Sequence, residues 1–262
     1  RYISVTGVQT CALPIFANRT REHYQSLVAL KAAGFKGVVM VEKPLFAGQA
    51  RFPVGCFKKV VVGYNLRFHP LIRSLRDQFK GRVILSAQTY VGKDLRTWRK
   101  GVDYRKSYSA SRKQGGGVLR DLSHELDYMN WILGGWTAVA ASGGHCSRLR
   151  IQSDDVYCLM LKTRRCANVL IQMNYIDKPG SRAMIFNSDD RTVKVDLIGQ
   201  WIEINGRKRV VKVPRDQTYR DQHNAVLKKK WNILCSYREA ADIMRLIHAA
   251  EKASRAQKWV KR

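Results

Sequence analysis

The spacing of apolar residues changes near residue 82, and this change limits the folds that the chain can adopt. Before it, residues 37–42 and 59–64 are short and almost continuously apolar, which is typical of strands covered on both faces of a parallel sheet. After it, apolar and polar residues alternate, beginning with 83–91, as in strands with one covered face. We therefore predict an α/β sheet followed by a large, mainly antiparallel sheet with helices on one face.

Turn and cap residues divide the chain further. Asn205-Gly206 is the typical centre of a tight β-hairpin, and Ser236 with Glu239 forms a capping-box pattern that predicts the start of a final helix. Helical patterns cover 21–33 and 70–79, and residues 92–114 are predicted to be a long loop. The further predicted strands are 138–143, 156–162, 167–175, 182–187, 192–197, 201–204 and 207–213.

The stretch 115–135 combines a glycine triplet with a helical pattern. Its apolar side consists of leucines and Met129. The opposite side, here called the polar face, consists of Asp121, His124, Asp127, Tyr128 and Trp131. Two interpretations stay open: a solvated helix surface, or the wall of a pocket to which the glycines admit a ligand or another segment of backbone.

Composition excludes some classes of protein. The 262 residues are 45% hydrophobic, and no apolar run reaches the roughly eighteen residues that a membrane span needs. The six cysteines show no zinc-site spacing with one another or with histidine, so we predict free thiols, no metal site and a cytoplasmic protein. The net charge of +28 suggests an anionic partner, but the basic residues are spread along the chain, and we do not expect nucleic acid to be that partner.

Lys43 and His124 carry the most specific pattern. Glu42-Lys43-Pro44 follows a predicted strand, and Gly115-Gly116-Gly117 precedes a helix with His124-x-x-Asp127. Together with the order of the two sheets, these residues resemble the Gfo/Idh/MocA family of NAD(P)-dependent oxidoreductases. The loop residues Trp98-Arg99 and 103–105 resemble its branch from polysaccharide and sialic-acid gene clusters.

The resemblance implies a reaction and a set of residues. It implies hydride transfer between NAD or NADP and a hydroxyl or carbonyl carbon of a sugar, sugar derivative or cyclitol, in a homo-oligomer assembled through the antiparallel sheet. It implies catalytic roles for Lys43, His124 and Asp121. Histidine suits the removal of a hydroxyl proton near neutral pH, and lysine suits stabilisation of an alkoxide. The implied substrate-binding residues are Asp127, Tyr104, Arg105 and Tyr128, and the implied cofactor-binding residues are Asn18, Arg19, Glu42, Lys43, Pro44, Asn65, Trp98 and Arg99.

Other features depart from the family pattern. No GxGxxG turn, which cradles a pyrophosphate, occurs in the chain. We therefore expect a truncated Rossmann-type domain that lacks roughly sixty residues and is inactive alone. Residues 1–16 resemble a non-native, adapter-derived segment, which leaves a dinucleotide-binding part at 17–81 and a substrate and oligomerisation domain at 82–262.

Simpler interpretations stay open for the site residues and for the whole chain. Lys43 could be a solvated lysine at a strand end, and His124 a structural helix histidine. The chain could also be a non-catalytic protein that assembles through its sheet, or a basic nucleic-acid binder.

Overall fold

The computed structural model describes residues 13–262, which fold around two sheets. The smaller sheet has the order β1-β2-β3-β12, and its first three strands run parallel. Its strands are β1 (Ile15–Phe16), β2 (Val38–Val41), β3 (Lys59–Val62) and β12 (Cys235–Ser236). Short runs such as Val-Val-Met-Val form buried parallel strands because both of their faces can be covered.

The larger sheet has nine strands in the order β11-β10-β9-β8-β4-β7-β6-β5-β13. All neighbouring strands are antiparallel except β4 and β7. The strands are β4 (Ser86–Gly92), β5 (Trp136–Gly144), β6 (Val156–Thr163), β7 (Val169–Asn174), β8 (Ser181–Asn187), β9 (Thr192–Asp196), β10 (Trp201–Ile204), β11 (Arg207–Val210) and β13 (Val260–Lys261). The predicted fold class is confirmed.

Within residues 13–262, six α-helices accompany the sheets. They are α1 (His23–Ala32), α2 (Pro70–Gln78), α3 (Val118–Asp121), α4 (His124–Leu133), α5 (Gln217–Leu227) and α6 (Tyr237–Ala256). In β6 every second residue is buried. Helix α6 contacts β5, and α3 contacts β6 and β7. The alternate residues of β6, Cys158, Met160 and Lys162, are exposed, so the described residues do not cover this face of the larger sheet, here called the open face.

Several local predictions are confirmed. The capping box at the start of α6 has both of its hydrogen bonds, with Ser236 as the cap and Glu239 as the third helical residue. Asn205 and Gly206 have positive φ angles and join β10 to β11.

Three local predictions are wrong. The single predicted helix after Gly117 is two helices, α3 and α4. The segment 92–114 is not structureless but contains four short 3₁₀ helices: Leu95–Thr97, Tyr104–Lys106, Tyr108–Ala110 and Arg112–Gln114. Helix α5 was not predicted, because its buried residues include Thr218 and Gln222 and make no apolar stripe.

The domain boundaries stay predictions. Strand β12 follows the larger sheet in the chain but pairs with β3 in the smaller one, so the division at residue 82 does not separate the sheets completely. Residues 1–12 of the predicted non-native segment lie outside the described residues. Its last two residues, Ile15 and Phe16, pair with β2.

Candidate active site

Lys43 extends from the carboxyl end of the smaller sheet to the glycine-helix stretch. It follows β2 and precedes Pro44 through a cis peptide bond. Its Nζ donates a hydrogen bond to the backbone carbonyl of Asp121. Two segments 78 residues apart in the chain therefore meet where ligands commonly bind in open α/β sheets.

This contact lies at the break between α3 and α4. In a continuous helix the Glu125 amide would donate to the Asp121 carbonyl. Here the Glu125 amide donates to the Leu122 carbonyl at 3.2 Å, and the Asp121 carbonyl accepts from Lys43 instead. The helix is interrupted at the point where the lysine takes the place of a backbone donor, and α4 begins with His124.

His124 is buried beside Lys43 with unused hydrogen-bonding capacity. Its side of α4 is not a solvated surface, because the residue is only 9% exposed, and its ring meets Tyr64 edge-on, with 5.6 Å between centroids. Its Nδ1 is buried and has no hydrogen-bond partner among the described residues. Burial holds the pKa of His124 well below its usual value, and the charges of Lys43 and Arg182 act in the same direction. The imidazole is therefore neutral near pH 7.

Asp121 is buried in the same region. One carboxylate oxygen, Oδ2, accepts from the Tyr175 hydroxyl at 2.7 Å, and Oδ1 has no partner among the described residues. Burial lowers the pKa of Lys43, and the charge of Asp121 opposes that effect. Burial, reinforced by Asp121, raises the pKa of Tyr108 to about 12.

The glycine triplet admits neighbouring backbone and side chains of the protein itself. A side chain at Gly116 would overlap the carbonyl oxygens of Tyr108 and Ser109, and one at Gly117, where φ is +116°, would overlap the carboxylate of Asp154. The close approach of backbone accounts for Gly116, and the close approach of a side chain, with a positive φ, accounts for Gly117.

Asp127 lies apart from this group, although the sequence analysis assigns it to substrate binding. Its Oδ2 accepts from Arg67 Nε at 2.8 Å and its Oδ1 from Arg67 Nη2 at 2.7 Å. It is 1% exposed. Both of its oxygens therefore serve a buried ion pair, and neither faces a ligand.

Tyr128, Tyr104 and Arg105, the other predicted substrate residues, also have contacts within the protein. Tyr128 is fully buried, and its hydroxyl lies 2.9 Å from Thr89 Oγ1. Arg105 pairs with Asp103 at 2.9 Å on the surface. The Tyr104 hydroxyl accepts a hydrogen bond of 3.4 Å from the backbone amide of Arg150. These contacts do not bring the three side chains to Lys43 and His124.

The loop residues Trp98 and Arg99 do border the site. Trp98 meets the ring of Tyr175 edge-on, with 5.1 Å between centroids. The guanidinium of Arg99 lies 5.0 Å from the centre of the Tyr108 ring. Each therefore contacts an aromatic residue that faces Asp121.

The remaining predicted cofactor residues surround the ends of β2 and β3. A side chain at Gly63, just after β3, would overlap the Glu42 carboxylate, and burial raises the pKa of Glu42. Asn65 is buried and donates to Thr218 on α5 at 2.7 Å. Asn18 and Arg19 are exposed, and Asn18 donates to Ser26 at 2.9 Å.

Sequence analysis missed Tyr175, Arg182 and Glu125. Tyr175 follows β7 and Arg182 lies on β8, in stretches whose alternation predicts strands and reveals no partner. Arg182 Nε lies 2.9 Å from Glu125 Oε1. Nothing local in the sequence marks this pair, because its members are 57 residues apart.

Within the described residues, no helix has the length and apolarity needed to cross a membrane. A cleft of about 860 Å³ lies on the open face of the larger sheet and includes Met160 and Leu170 in its lining. It is formed by residues other than those around Lys43 and His124.

Comparison with solved structures shows the fold. The chain aligns with an oxidoreductase domain protein from Kribbella flavida over 95% of its own length and 80% of that chain, with a TM-score of 0.79 and 15% identity. It aligns with aldose-aldose oxidoreductase from Caulobacter crescentus over 95% and 79%, with a TM-score of 0.79 and 19% identity. Levoglucosan dehydrogenase in complex with NADH gives the same coverage and TM-score at 15% identity.

Sequence comparison identifies the larger sheet region. No curated protein matches the chain in sequence. Residues 84–211 match the model of the GFO/IDH/MocA C-terminal domain, and this range contains most of the larger sheet and the glycine-helix stretch. By this match residues 84–211 belong to the Gfo/Idh/MocA family.

Proposed function

We propose that this chain acts in NAD(P)-dependent transfer of a hydride to or from a hydroxyl or carbonyl carbon of a sugar, sugar derivative or cyclitol. The observation that carries the proposal is the break between α3 and α4, where the Lys43 ammonium binds the Asp121 carbonyl and α4 begins with the neutral, unpartnered imidazole of His124. Strongly perturbed ionisable groups with free capacity are more frequent at catalytic sites than elsewhere. The placement in the polysaccharide and sialic-acid branch stays a prediction.

The structural relatives support the chemistry. One is an aldose-aldose oxidoreductase, and another, levoglucosan dehydrogenase, has been solved with both NADH and levoglucosan, at 15% identity to this chain. A third, GenD2 from gentamicin A biosynthesis, binds NAD. The shared fold makes a nicotinamide cofactor and a polyhydroxylated substrate the proposal for this chain as well, without specifying the substrate or choosing NAD over NADP.

The residues around Lys43 fit the reactive end of such a cofactor. Asp121 Oδ1 and His124 Nδ1 are buried polar atoms without partners among residues 13–262, as expected where a ligand supplies the missing contacts. Glu42, Lys43 and Pro44, with Trp98 and Arg99 at the loop, are the residues that would border it. The sequence contains no GxGxxG turn for the pyrophosphate, so the fit concerns the nicotinamide end alone.

The protein's own groups would handle the proton. The bound cofactor supplies the hydride acceptor or donor. In the oxidation direction, His124 Nδ1 accepts the hydroxyl proton, for which the imidazole must be neutral, as its lowered pKa makes it. The Lys43 ammonium stabilises the oxygen as negative charge develops on it. The charge of Asp121 favours the protonated lysine, since it opposes the lowering of the lysine pKa by burial.

Initial rates test this assignment, measured in a form of the protein that also contains a GxGxxG turn, because this sequence has none. We expect Lys43→Met and His124→Asn to lower kcat/KM on the order of 10²–10⁴-fold. The matched controls Lys36→Met and His145→Asn alter exposed residues outside the site and should leave turnover near wild type. Wild-type rates in both site variants would remove the mechanism.

The open face of the larger sheet supports a second proposal, association of two copies of the chain. Met160 and Leu170 are 53% and 50% exposed on β6 and β7, and the cleft they line spans strands β4 to β8. Exposed apolar patches on sheets commonly mark protein contacts, and a two-fold axis lets one face cover its own copy. This assembly could also exist without catalysis.

Sedimentation velocity shows whether two copies of the chain associate through the exposed apolar residues or whether these residues are merely exposed. Wild type should sediment as a dimer, and Met160→Glu with Leu170→Glu should give monomer. The control pair Val83→Glu with Ile198→Glu changes exposed apolar residues outside the cleft lining and should leave the dimer intact. A monomeric wild type, or equal effects of both pairs, would contradict the proposal.

A further inference from the structure

Arg182 connects the larger sheet to the residue that follows His124. It is the second residue of β8, opposite Val91 of β4. Its Nε lies 2.9 Å from Glu125 Oε1, and its Nη2 donates to Glu125 Oε2 at 3.4 Å. The side chain of Glu125 is fully buried, whereas that of Arg182 is 24% exposed.

Glu125 is also held from a second strand. The Tyr128 hydroxyl donates to Glu125 Oε1 at 3.1 Å and lies 2.9 Å from Thr89 Oγ1 on β4. Two neighbouring strands of the larger sheet, β4 and β8, therefore fix the first turn of α4. A buried carboxylate without its cation is costly, so Glu125 depends on Arg182.

The charge of the Arg182 guanidinium acts on three titratable groups. The charge of Arg182 adds to the effect of burial in lowering the pKa of both Lys43 and His124. It also adds to the burial that lowers the pKa of His69 to about 4. One guanidinium thus acts on groups from three different segments.

We propose that Arg182 is a positioning residue for His124: through its ion pair with Glu125 it fixes the start of α4 so that the imidazole meets Lys43, and it supplies a second positive charge beside that imidazole. This inference rests on the proposed role of His124 as the base. The charged and titratable groups around the ring are Lys43 after β2, Arg182 on β8, Glu125 on α4 and Asp121 on α3. Tyr64, after β3, contributes a ring whose hydroxyl donates to Ser123.

The charge and the geometry of Arg182 can be separated by two substitutions. Arg182→Gln removes the charge and should raise the pKa of His124. Arg182→Lys retains a charge but not the planar two-point contact with Glu125, so the pKa should stay near that of wild type while the position of the helix start is loosened. A misplacement of about 1 Å costs on the order of 10²-fold in rate, so kcat of the lysine variant should fall with little change in KM.

The experiment is an NMR titration of the histidine ring protons with initial rates on the same samples. His124→Asn assigns the resonance, and Arg209→Gln, on the exposed strand β11, is the control for loss of one positive charge. The inference holds if the glutamine variant alone raises the His124 pKa and the lysine variant lowers kcat. The Arg182→Gln variant could fail to fold because it leaves the Glu125 carboxylate buried without a cation. In that case the double variant Glu125→Gln/Arg182→Gln, which removes this carboxylate as well, is titrated in place of the single variant.

Two results would overturn the inference: a His124 pKa unchanged by loss of the Arg182 charge, or wild-type kcat in Arg182→Lys. Failure of the proposed function has a different signature. No turnover in any sample, wild type included, when the protein also contains a GxGxxG turn contradicts oxidoreduction, and the titration then decides alone whether Arg182 acts on His124.

Discussion

His124 and Asp127 lie one turn apart on α4 and are both buried polar residues, yet their surroundings differ. Asp127 gives both oxygens to Arg67 at 2.7–2.8 Å, and the Arg67 Nη1 continues to Glu239 at 2.9 Å. His124 has a buried Nδ1 without a partner in the described part of the chain, as has Asp121 at Oδ1. Both carboxylate oxygens of Asp127 are therefore satisfied, whereas His124 and Asp121 each keep one buried atom without a partner in residues 13–262.

Burial alone therefore does not separate a structural polar residue from a functional one. Most buried polar atoms in folded proteins have partners, so an unpartnered one calls for a ligand or another specific cause. Hydrogen bonding separates Asp127, whose oxygens are both used, from His124, whose Nδ1 is not, although the sequence spacing His124-x-x-Asp127 groups them. Each prediction below tests one side of this contrast.

The largest expected effect on stability is at Asp127. Asp127→Ala leaves Arg67 charged and buried without its main partner, which costs about 3–5 kcal/mol. His124→Ala removes no satisfied polar contact and should cost less. Urea unfolding at pH 7 measures both, and Asp127→Asn, which keeps an acceptor, should fall between them. An Asp127→Ala variant as stable as His124→Ala would remove the contrast.

His69 is a buried histidine whose hydrogen bond is made within the protein, in contrast to His124. Its Nδ1 accepts from the Leu71 amide and caps α2. Burial, with the charge of Arg182, lowers its pKa from 6.5 to about 4. The unfolded chain therefore binds a proton at a pH where the folded protein does not, so stability present at pH 7 is lost as pH falls from 6.5 towards 4. The loss attributable to His69 is about 3 kcal/mol at most.

Replacement by asparagine isolates this loss. His69→Asn keeps a capping side chain but does not titrate, so its unfolding free energy should fall less than that of wild type between pH 7 and pH 4. His124, whose pKa is also lowered, should contribute a loss of the same sign that remains in His69→Asn. Parallel pH profiles for the two proteins would show that His69 is not the titrating group.

The smallest expected effect on stability is at Ser236, which tests whether the ion-pair network of Arg67, Asp127 and Glu239 extends to the start of α6. Glu239 accepts from Ser236 Oγ at 2.7 Å and also pairs with Arg67, so the cap of α6 shares a carboxylate with the ion pair. Ser236→Ala should cost about 1 kcal/mol, measured by urea unfolding. Ser236→Gly should lower the free energy of unfolding by only a few tenths of about 1 kcal/mol. Equal unfolding free energies for Ser236→Ala and wild type would show that the Ser236 cap does not contribute to the stability of the ion-pair network of Arg67, Asp127 and Glu239.

Residues close together in the sequence predicted much of this structure. The change of apolar period placed both sheets, and Ser-x-x-Glu and Asn-Gly placed a cap and a hairpin, because these patterns depend on neighbours within a few positions. The family resemblance predicted that Lys43 and His124 act at one site, although they are far apart in the sequence.

Contacts between distant residues explain what the sequence did not predict. The apolar period continues through Leu122, so nothing local indicates that Lys43 takes the Asp121 carbonyl and ends α3. Asp127 has the spacing of a ligand residue, and only Arg67, sixty residues earlier, reveals its structural contact. Arg182 is one of many basic residues in the sequence until the fold places it on Glu125.

The most direct test of the meeting between Lys43 and His124 is the pKa of the His124 imidazole in wild type and in Lys43→Met. If the ammonium lies beside the ring, its removal takes away a positive charge and the histidine pKa rises, while Lys43→Arg and the exposed-site control Lys36→Met leave it low. An NMR titration that gives the same His124 pKa in Lys43→Met as in wild type would place the two groups in separate environments and contradict the site.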